Sequence, residues 1–397
     1  MTSICIVSQS HLCRNPRVLK EARALANGNY EVTILTAVYS QQLYQEDLDL
    51  ISGTGILYQA YADLRRPSVK SFSDRLMSRS ARFLKYFFRF DSVHALGCGA
   101  GRLKKYCLLE QADLYICHQE LPACIGAELL KKGKNVAFDF EDWYSEDLLP
   151  DARKYRPLKL LKLAEAYALQ NGTVCYTTSN ALAKKLADAY LCPLPKVIYN
   201  VFPSQPIPVP KTFHRPLKLF WFSQTVGPGR GLEEFISLLN HVQNTVELHL
   251  LGDVDTVYQT ALTTLMPAQH AIFFHRPVPG QELHKTISMY DIGLALEKTE
   301  PASRNYTITN KFFQYIQAGL PVIATETMGQ AEAFEQFMPG LMLKQNAARQ
   351  AADLNNWLGD MNALNTAARQ AALAAAYYNW ETEERKLLQL IDGAFGK

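Results

Sequence analysis

Short apolar runs alternate with stretches of helical period along most of the chain, and the alternation predicts its elements one after another. Residues 3–8 read as an apolar strand. A polar loop follows, then a helix over about 16–26 ended by Asn27 and Gly28, then a strand over 31–37. Strand, helix and strand in so short a span predict a βαβ unit and a parallel sheet. The pattern resumes with strands at 113–118, 135–140, 173–177 and 196–200, separated by helices to about 132, over about 158–170 and from Ser179 to about 190. The proline-rich stretch 202–210 cannot hold a regular element and reads as a linker. Beyond it come strands at 217–223, 246–251, 271–275 and 291–296, a helix from Leu232 and another entered through 277–283. The stretch 304–324 reads as polar loop, helix, tight stop and buried strand, and Ala-rich helices then run to about Tyr378.

This pattern predicts an α/β chain of two Rossmann-like, doubly wound parallel-sheet domains facing a cleft. The boundaries expected are 1–200 for the first domain, 201–214 for the linker, 215–378 for the second domain and 379–397 for a closing helix. A length of 397 residues lets each half bury its own core.

Composition adds exclusions. Hydrophobic content of 48% and charged content of 20% are those of a globular protein, and a net charge of +3 gives no general affinity for nucleic acid. The first residues lack a basic region followed by a long apolar run, so they read as a first strand and not as a signal peptide. No apolar run approaches the roughly 18 residues of a membrane span. The eight cysteines all lie in the first half without C-x-x-C or metal spacing, as reduced core thiols of a cytoplasmic protein would. No Cys/His cluster has metal spacing, and neither metal nor cofactor is expected.

Candidate chemistry gathers at strand ends and helix starts. In the 304–324 stretch Thr309 or Asn310 can cap a helix whose stripe is Phe312, Phe313, Tyr315 and Ile316. Free amides and the helix dipole there suit a phosphate; Lys311 can add a point charge, and Gln314 lies on the same face. The same residues also fit an ordinary αβ unit with a surface lysine. Residues 224–231 form a glycine-rich turn before a helix, where Gly229 lets a ligand approach the backbone. It is not a Walker A loop, because no Lys-Ser/Thr follows. His118 and the run Asp139, Phe140, Glu141, Asp142 end predicted strands, where ligands of doubly wound sheets sit. Glu141 there could accept a proton or orient an acceptor hydroxyl, or these acids could cap the next segment. Between 62 and 106 eleven Lys and Arg face three Asp, with aromatics from Phe83 to Phe90 among them. That mixture suits an anionic membrane surface, and equally a solvated helix.

The segment Asn310, Lys311, Phe313, Tyr315, Gly319, Pro321, Val322, Ile323 and Ala324 resembles the nucleotide-sugar segment of family 4-like glycosyltransferases, which have the two-domain GT-B fold. The run 14–23 is similar to an opening of some members, and Asn200 and the Trp380 segment match later family features. The resemblance covers nearly the whole chain. It implies a donor site built by Gln224, Gly229, Arg230, Thr309, Asn310, Lys311 and Gln314, with the nucleobase near 276–280. It implies acceptor contacts from Arg17 and Asp142, and a catalytic set of His118, Glu141, Arg230 and Lys311. Departures are visible. The family's E-x7-E pair is Tyr306 and Gln314 here, its Arg in the glycine turn is Gln224, its Lys is Arg230, and its His is Glu141. Glu297 or Glu300 could replace the absent carboxylate, and spacing selects neither.

The expectation is a cytoplasmic glycosyltransferase, retaining and metal-independent. It would move a sugar from a nucleotide-diphosphate co-substrate to a glycan or lipid-linked acceptor in cell-envelope polysaccharide or lipopolysaccharide synthesis. Residues 65–105 could hold it to the inner face of an anionic membrane. A sugar-nucleotide epimerase and an inactive nucleotide-sugar-binding scaffold are the rival readings. Sugar, base, acceptor and oligomeric state are not legible.

Overall fold

The computed structural model describes residues 1–206, 211–344 and 347–396. Of the linker expected at 201–214, residues 207–210 lie outside the described residues, and the rest holds no strand or helix. By contacts the chain divides into one unit of Met1–Ile198 with Glu384–Lys397, and a second of Tyr199–Glu383.

The first unit is a seven-stranded parallel sheet. Its strands are β1 (Ser3–Val7), β2 (Glu31–Val38), β3 (Leu57–Asp63), β4 (Leu114–His118), β5 (Val136–Phe140), β6 (Val174–Thr177) and β7 (Lys196–Val197). They run in the order β3-β2-β1-β4-β5-β6-β7. Ile4 lies opposite Val32 on one side and Leu114 on the other. Helices cover both faces of such a sheet, so β1, β4 and β5 are apolar almost throughout. Helix Pro16–Asn27 starts where Asn15 accepts the Val18 amide and Pro16 presets the first turn. β7 stops short of the expected Asn200 because the next backbone groups serve side chains. Ile198 O accepts from Arg17, and Tyr199 N–H donates to Glu383.

The second unit is a six-stranded parallel sheet of β8 (Leu217–Thr225), β9 (Val246–Asp253), β10 (Ala271–His275), β11 (Ile292–Ala295), β12 (Val322–Thr325) and β13 (Gly340–Leu343). Their order is β10-β9-β8-β11-β12-β13. Its core joins Trp221, Phe235, Leu248, Leu294 and Leu354, all with at most 1% of their surface exposed. Both sheets are the doubly wound type the pattern predicted. Two such domains in one chain are what the GT-B resemblance implies.

The pattern did not predict helices Gln41–Ile51 and Thr256–Leu265 or strands β3 and β13. Helix Gln41–Ile51 is mostly polar, and its buried contact is Asp47, whose carboxylate takes hydrogen bonds from Tyr58 Oη (2.5 Å) and Cys13 N (2.8 Å) and pairs with His11 Nδ1. Ile51 is buried beside it, and the acid at the centre of the buried face breaks up the apolar stripe of Leu43, Leu50 and Ile51.

Gly293 in β11 lets the Tyr315 ring lie against the sheet. A Cβ there would stand 2.1 Å from Tyr315 Cγ. Gly293→Ala should therefore cost about 1–3 kcal/mol or more by overpacking. Urea unfolding would check this, and a variant as stable as the wild type would remove the packing account.

Candidate functional site

In the second unit the strand order reverses between β8 and β11. Ligands of open parallel sheets sit outside the carboxyl ends of the strands at such a point. β8 leads into the glycine turn, and β11 ends at Ala295, just before Glu297. Gly229 and Gly231 have φ of 77° and 79°, a left-handed backbone that favours glycine. Gly231 caps helix Leu232–Leu239. A Cβ at Gly227 or Gly229 would meet nothing within 4 Å, so the outer side of the turn is open.

Helix Asn310–Gln317 buries Phe312, Phe313, Tyr315 and Ile316 and so aims its start at the same region. Thr309 takes the N-cap position, but its side chain makes no capping hydrogen bond. The dipole and first amides remain available to an anion. Lys311 stands in the first turn with 12% of its side chain exposed. Its Nζ lies 3.6 Å from Glu297 Oε1 and 5.3 Å from the centre of the Trp221 ring. Burial lowers the Lys311 pKa; Glu297 opposes that, while the charges of Arg230 and Arg304 push it down further. Lys311 and Arg230, expected to share a phosphate, are thus within electrostatic reach of each other, and Arg304 joins them. Of the two acids that spacing left open, Glu297 is the one beside Lys311. Its amide donates to Thr325 Oγ1 (2.8 Å), and Thr325 Oγ1 donates to its carbonyl (2.7 Å). Glu300 is exposed. Gln224 and Asn310 are exposed, and Gln314 is half-buried.

In the first unit the expected groups gather at the ends of β4 and β5, but not as free contacts. Arg17 is 1% exposed. Its guanidinium is held by Asp139 (Nε to Oδ2 2.5 Å, Nη2 to Oδ1 3.0 Å), by Ile198 O (2.9 Å) and by Glu21 (3.3 Å). The expectation that Arg17 holds an anionic acceptor is therefore corrected. All three of its guanidinium nitrogens donate inside the unit, and only 1% of it is exposed. His118 is likewise fully buried, with Nδ1 at 3.1 Å from Asp139 and 3.2 Å from Glu141, and Nε2 at 3.3 Å from Glu21. A side chain so enclosed does not meet a substrate; it bears on one through Glu141. Burial would lower its pKa, but the charge of Glu21 and the bonds to Asp139, Glu141 and Glu21 outweigh that and raise it well above the ordinary value. Asp139 is pushed up by burial and down more strongly by the Arg17 charge and the His118 contact, so it stays below the usual carboxylate range. Glu141, with 18% of its side chain exposed, also accepts from Asn15 Nδ2 (3.1 Å). Asp142 beside it is half-buried.

Among the described residues Glu21, His118 and Asp139 offer atoms within 4.8 Å of one another, the spacing of a metal site. The Arg17 guanidinium is bonded to both carboxylates, so positive charge is already supplied there and a metal ion would be repelled.

Arg304, Asn15 and Gln119 were not among the expected site residues, although the first two lie in the stretches 304–324 and 14–23. Gln119 follows strand-end His118 with φ of 73°, a sparsely populated backbone for a non-glycine residue. Its side chain accepts from Gln9 N (2.8 Å) and donates to Ser10 Oγ (3.2 Å), tying the end of β1 to the end of β4. Its place after a strand end was the one available signal.

No family model matches the chain, and no curated protein matches its sequence. Solved structures do match its fold. HepE from Anabaena, solved with UDP-glucose, is 15% identical with a TM-score of 0.66, covering 99% of this chain and 100% of its own. Sucrose-phosphate synthase from Thermosynechococcus elongatus is 13% identical with a TM-score of 0.69, covering 100% of each. A UDP-N-acetylglucosamine 2-epimerase structure from Listeria monocytogenes is 11% identical with a lower TM-score of 0.57, covering 99% and 96%.

The first-unit cluster yields a stability prediction. Asp139→Asn leaves Arg17 buried without its main counter-charge and should cost about 3–5 kcal/mol. Asp139, with its depressed pKa, contributes stability that is present above about pH 4 and lost as pH falls through its folded value. His118, with its raised pKa, contributes stability that is full below about pH 6.5 and lost as pH rises through its folded value. Urea midpoints across pH should decline on both sides in the wild type, with the acid limb flattened in Asp139→Asn. An unchanged acid limb would contradict the assignment.

Proposed function

We propose that the chain is a glycosyltransferase that takes a sugar from a nucleoside-diphosphate donor held by the second unit. One observation carries this: at the strand-order reversal Lys311 stands 3.6 Å from Glu297 and feels the charges of Arg230 and Arg304, beside an open glycine turn and an uncapped helix start. Three cations against one acid leave an excess that matches the charge of a diphosphate ester. HepE, solved with UDP-glucose, supports the same reading through its fold.

In the proposed reaction a hydroxyl oxygen of the acceptor bonds to the anomeric carbon as the bond from that carbon to the diphosphate breaks. The electron pair leaves with the diphosphate, where Lys311 and Arg230 stabilise it, and the hydroxyl gives up its proton. These fixed cations stand where a divalent ion would otherwise be needed, which supports a metal-independent reaction. Gln224, Gly229, Thr309, Asn310 and Gln314 complete the donor contacts. Glu141, held by His118 and Asn15, is the carboxylate that accepts a hydrogen bond from the acceptor hydroxyl, with Asp142 beside it. Retention of configuration rests on the family resemblance alone.

The acceptor proposed is a glycan or lipid-linked glycan of the cell envelope, reached from the cytoplasmic side by a protein peripheral on the membrane. No helix among the described residues is long and apolar enough to cross a membrane. Helix Val69–Phe88 supports surface attachment because its amphipathicity is inverted. It buries the small polar stripe Ser71, Asp74, Ser78 and Ala81, while Phe72, Phe87 and Phe88 are exposed at 68%, 61% and 69%. All three acids of the region are matched, Asp63 by Arg65, Asp91 by Lys85 and Asp74 by Arg102. The surplus arginines and lysines lie among the exposed aromatics, as binding to an anionic lipid surface requires.

Purified protein should release nucleotide when given UDP- or GDP-sugars with a suitable acceptor; no release with any pair would overturn the transferase reading. Product formed from the donor alone would favour the epimerase, and nucleotide binding without turnover the scaffold. Lys311→Ala should weaken nucleoside-diphosphate binding by about ten- to a hundred-fold, from the ~1.5–3 kcal/mol of a charged hydrogen bond; calorimetry with an unchanged constant would remove its role.

Vesicles containing phosphatidylglycerol should sediment the protein, and vesicles of phosphatidylcholine alone should not. Changing Phe87 and Phe88 to Ser should cut vesicle binding about tenfold or more, since each buried ring contributes roughly 1.5–3 kcal/mol. Equal binding to both vesicle types, or none, would overturn the membrane assignment.

A further inference from the structure

We infer that Glu297 is a positioning residue for the donor diphosphate: its carboxylate keeps the Lys311 ammonium charged and fixed in the first turn of helix Asn310–Gln317. This deepens the donor-site reading and rests on it.

The geometry points to Glu297 in three ways. Its Oε1 lies 3.6 Å from Lys311 Nζ, and each side chain is only 12% exposed, so water screens the pair poorly. Its backbone is clamped on both sides of the peptide by the Thr325 hydroxyl, at 2.8 and 2.7 Å, so the neighbouring strand end anchors the carboxylate. Of the other groups acting on Lys311, the charges of Arg230 from the glycine turn and Arg304 from the short helix Ala302–Asn305 favour its loss of a proton, while the Trp221 ring of β8 favours the charged form only weakly. Burial and the two guanidinium charges push such an ammonium toward losing its proton, and a close anion opposes that. Glu297 is that anion while the site is empty, and the diphosphate takes over the role when it binds. Neutral lysine would offer the diphosphate no charge, so the donor affinity of this site depends on an acid that need not touch the donor.

The test follows the protonation of Lys311 directly. The Lys311 ε-carbon is titrated by ¹³C NMR in the wild type and in Glu297→Gln, its resonance assigned by its loss in Lys311→Arg. The midpoint should fall by about one unit or more in Glu297→Gln, a tenfold change in proton affinity. Calorimetry with UDP and GDP should then show affinity falling about tenfold between about pH 7 and pH 9 in Glu297→Gln, with the wild type nearly flat. Lys311→Arg in the Glu297→Gln background should remove that pH dependence, because a guanidinium does not titrate in this range. Glu297→Asp, which keeps the charge, should behave like the wild type in both measurements. An unchanged Lys311 midpoint, or a loss of affinity equal at every pH, would overturn the inference. If the wild type binds neither nucleotide, the donor-site reading falls, while the midpoint still decides whether Glu297 governs the charge of Lys311.

Discussion

A cation removed from water must find an anion, and this constraint separates the two clusters at the strand ends of this protein. In the first unit the debt is settled internally. Arg17 meets Asp139 and Glu21, and His118 meets those two and Glu141, all within 3.3 Å. In the second unit it is not. Lys311 has the Glu297 carboxylate at 3.6 Å, while the charges of Arg230 and Arg304 act on it in the opposite sense and lower its pKa. The same kind of position at the same kind of strand end therefore yields a buried ion network in one sheet and a cation-rich cluster in the other.

Both sheets were legible because a buried parallel strand is apolar on both faces, and the chain writes β1, β4 and β12 nearly that way. The helix at Asn310–Gln317 was legible through its aromatic stripe and its terminal Gly319, whose φ of 72° needs glycine or a strained backbone. What failed to show was what depends on a partner far along the chain. Helix Gln41–Ile51 is held through Asp47 by His11 and Tyr58. Arg17 in a helix's first turn looks like a surface residue. Only the fold reveals that its face lies on the sheet, against an acid 122 positions away.

The donor cluster has the same character. Spacing could not choose between Glu297 and Glu300, because the choice is made by Thr325 at the end of the adjacent strand. Arg304 carries no motif at all; it counts because its charge, in the segment 302–305, acts on Lys311. The losses at Gln224 and Tyr306, which weakened the resemblance, matter less once charge is summed over the site. Arg304 restores a cation, and Glu297 restores a carboxylate, at positions no linear pattern joins to the rest.

The buried network of the first unit still bears on chemistry, through its edge. Replacing such a network by apolar residues is often neutral or stabilising, so stability alone does not account for it. Burial falls off along it, from Arg17, Glu21 and His118, which are essentially enclosed, to Glu141, whose side chain keeps 18% of its surface open. Glu141 is held from two directions, by His118 Nδ1 at 3.2 Å and by Asn15 Nδ2 at 3.1 Å. Asn15 is itself fixed as the cap of the helix that carries Arg17 and Glu21. A carboxylate on a loop after β5 would otherwise sample many orientations. Tied into a charged lattice that has nowhere to move, it presents one oxygen pair in one direction, as orienting a hydroxyl requires.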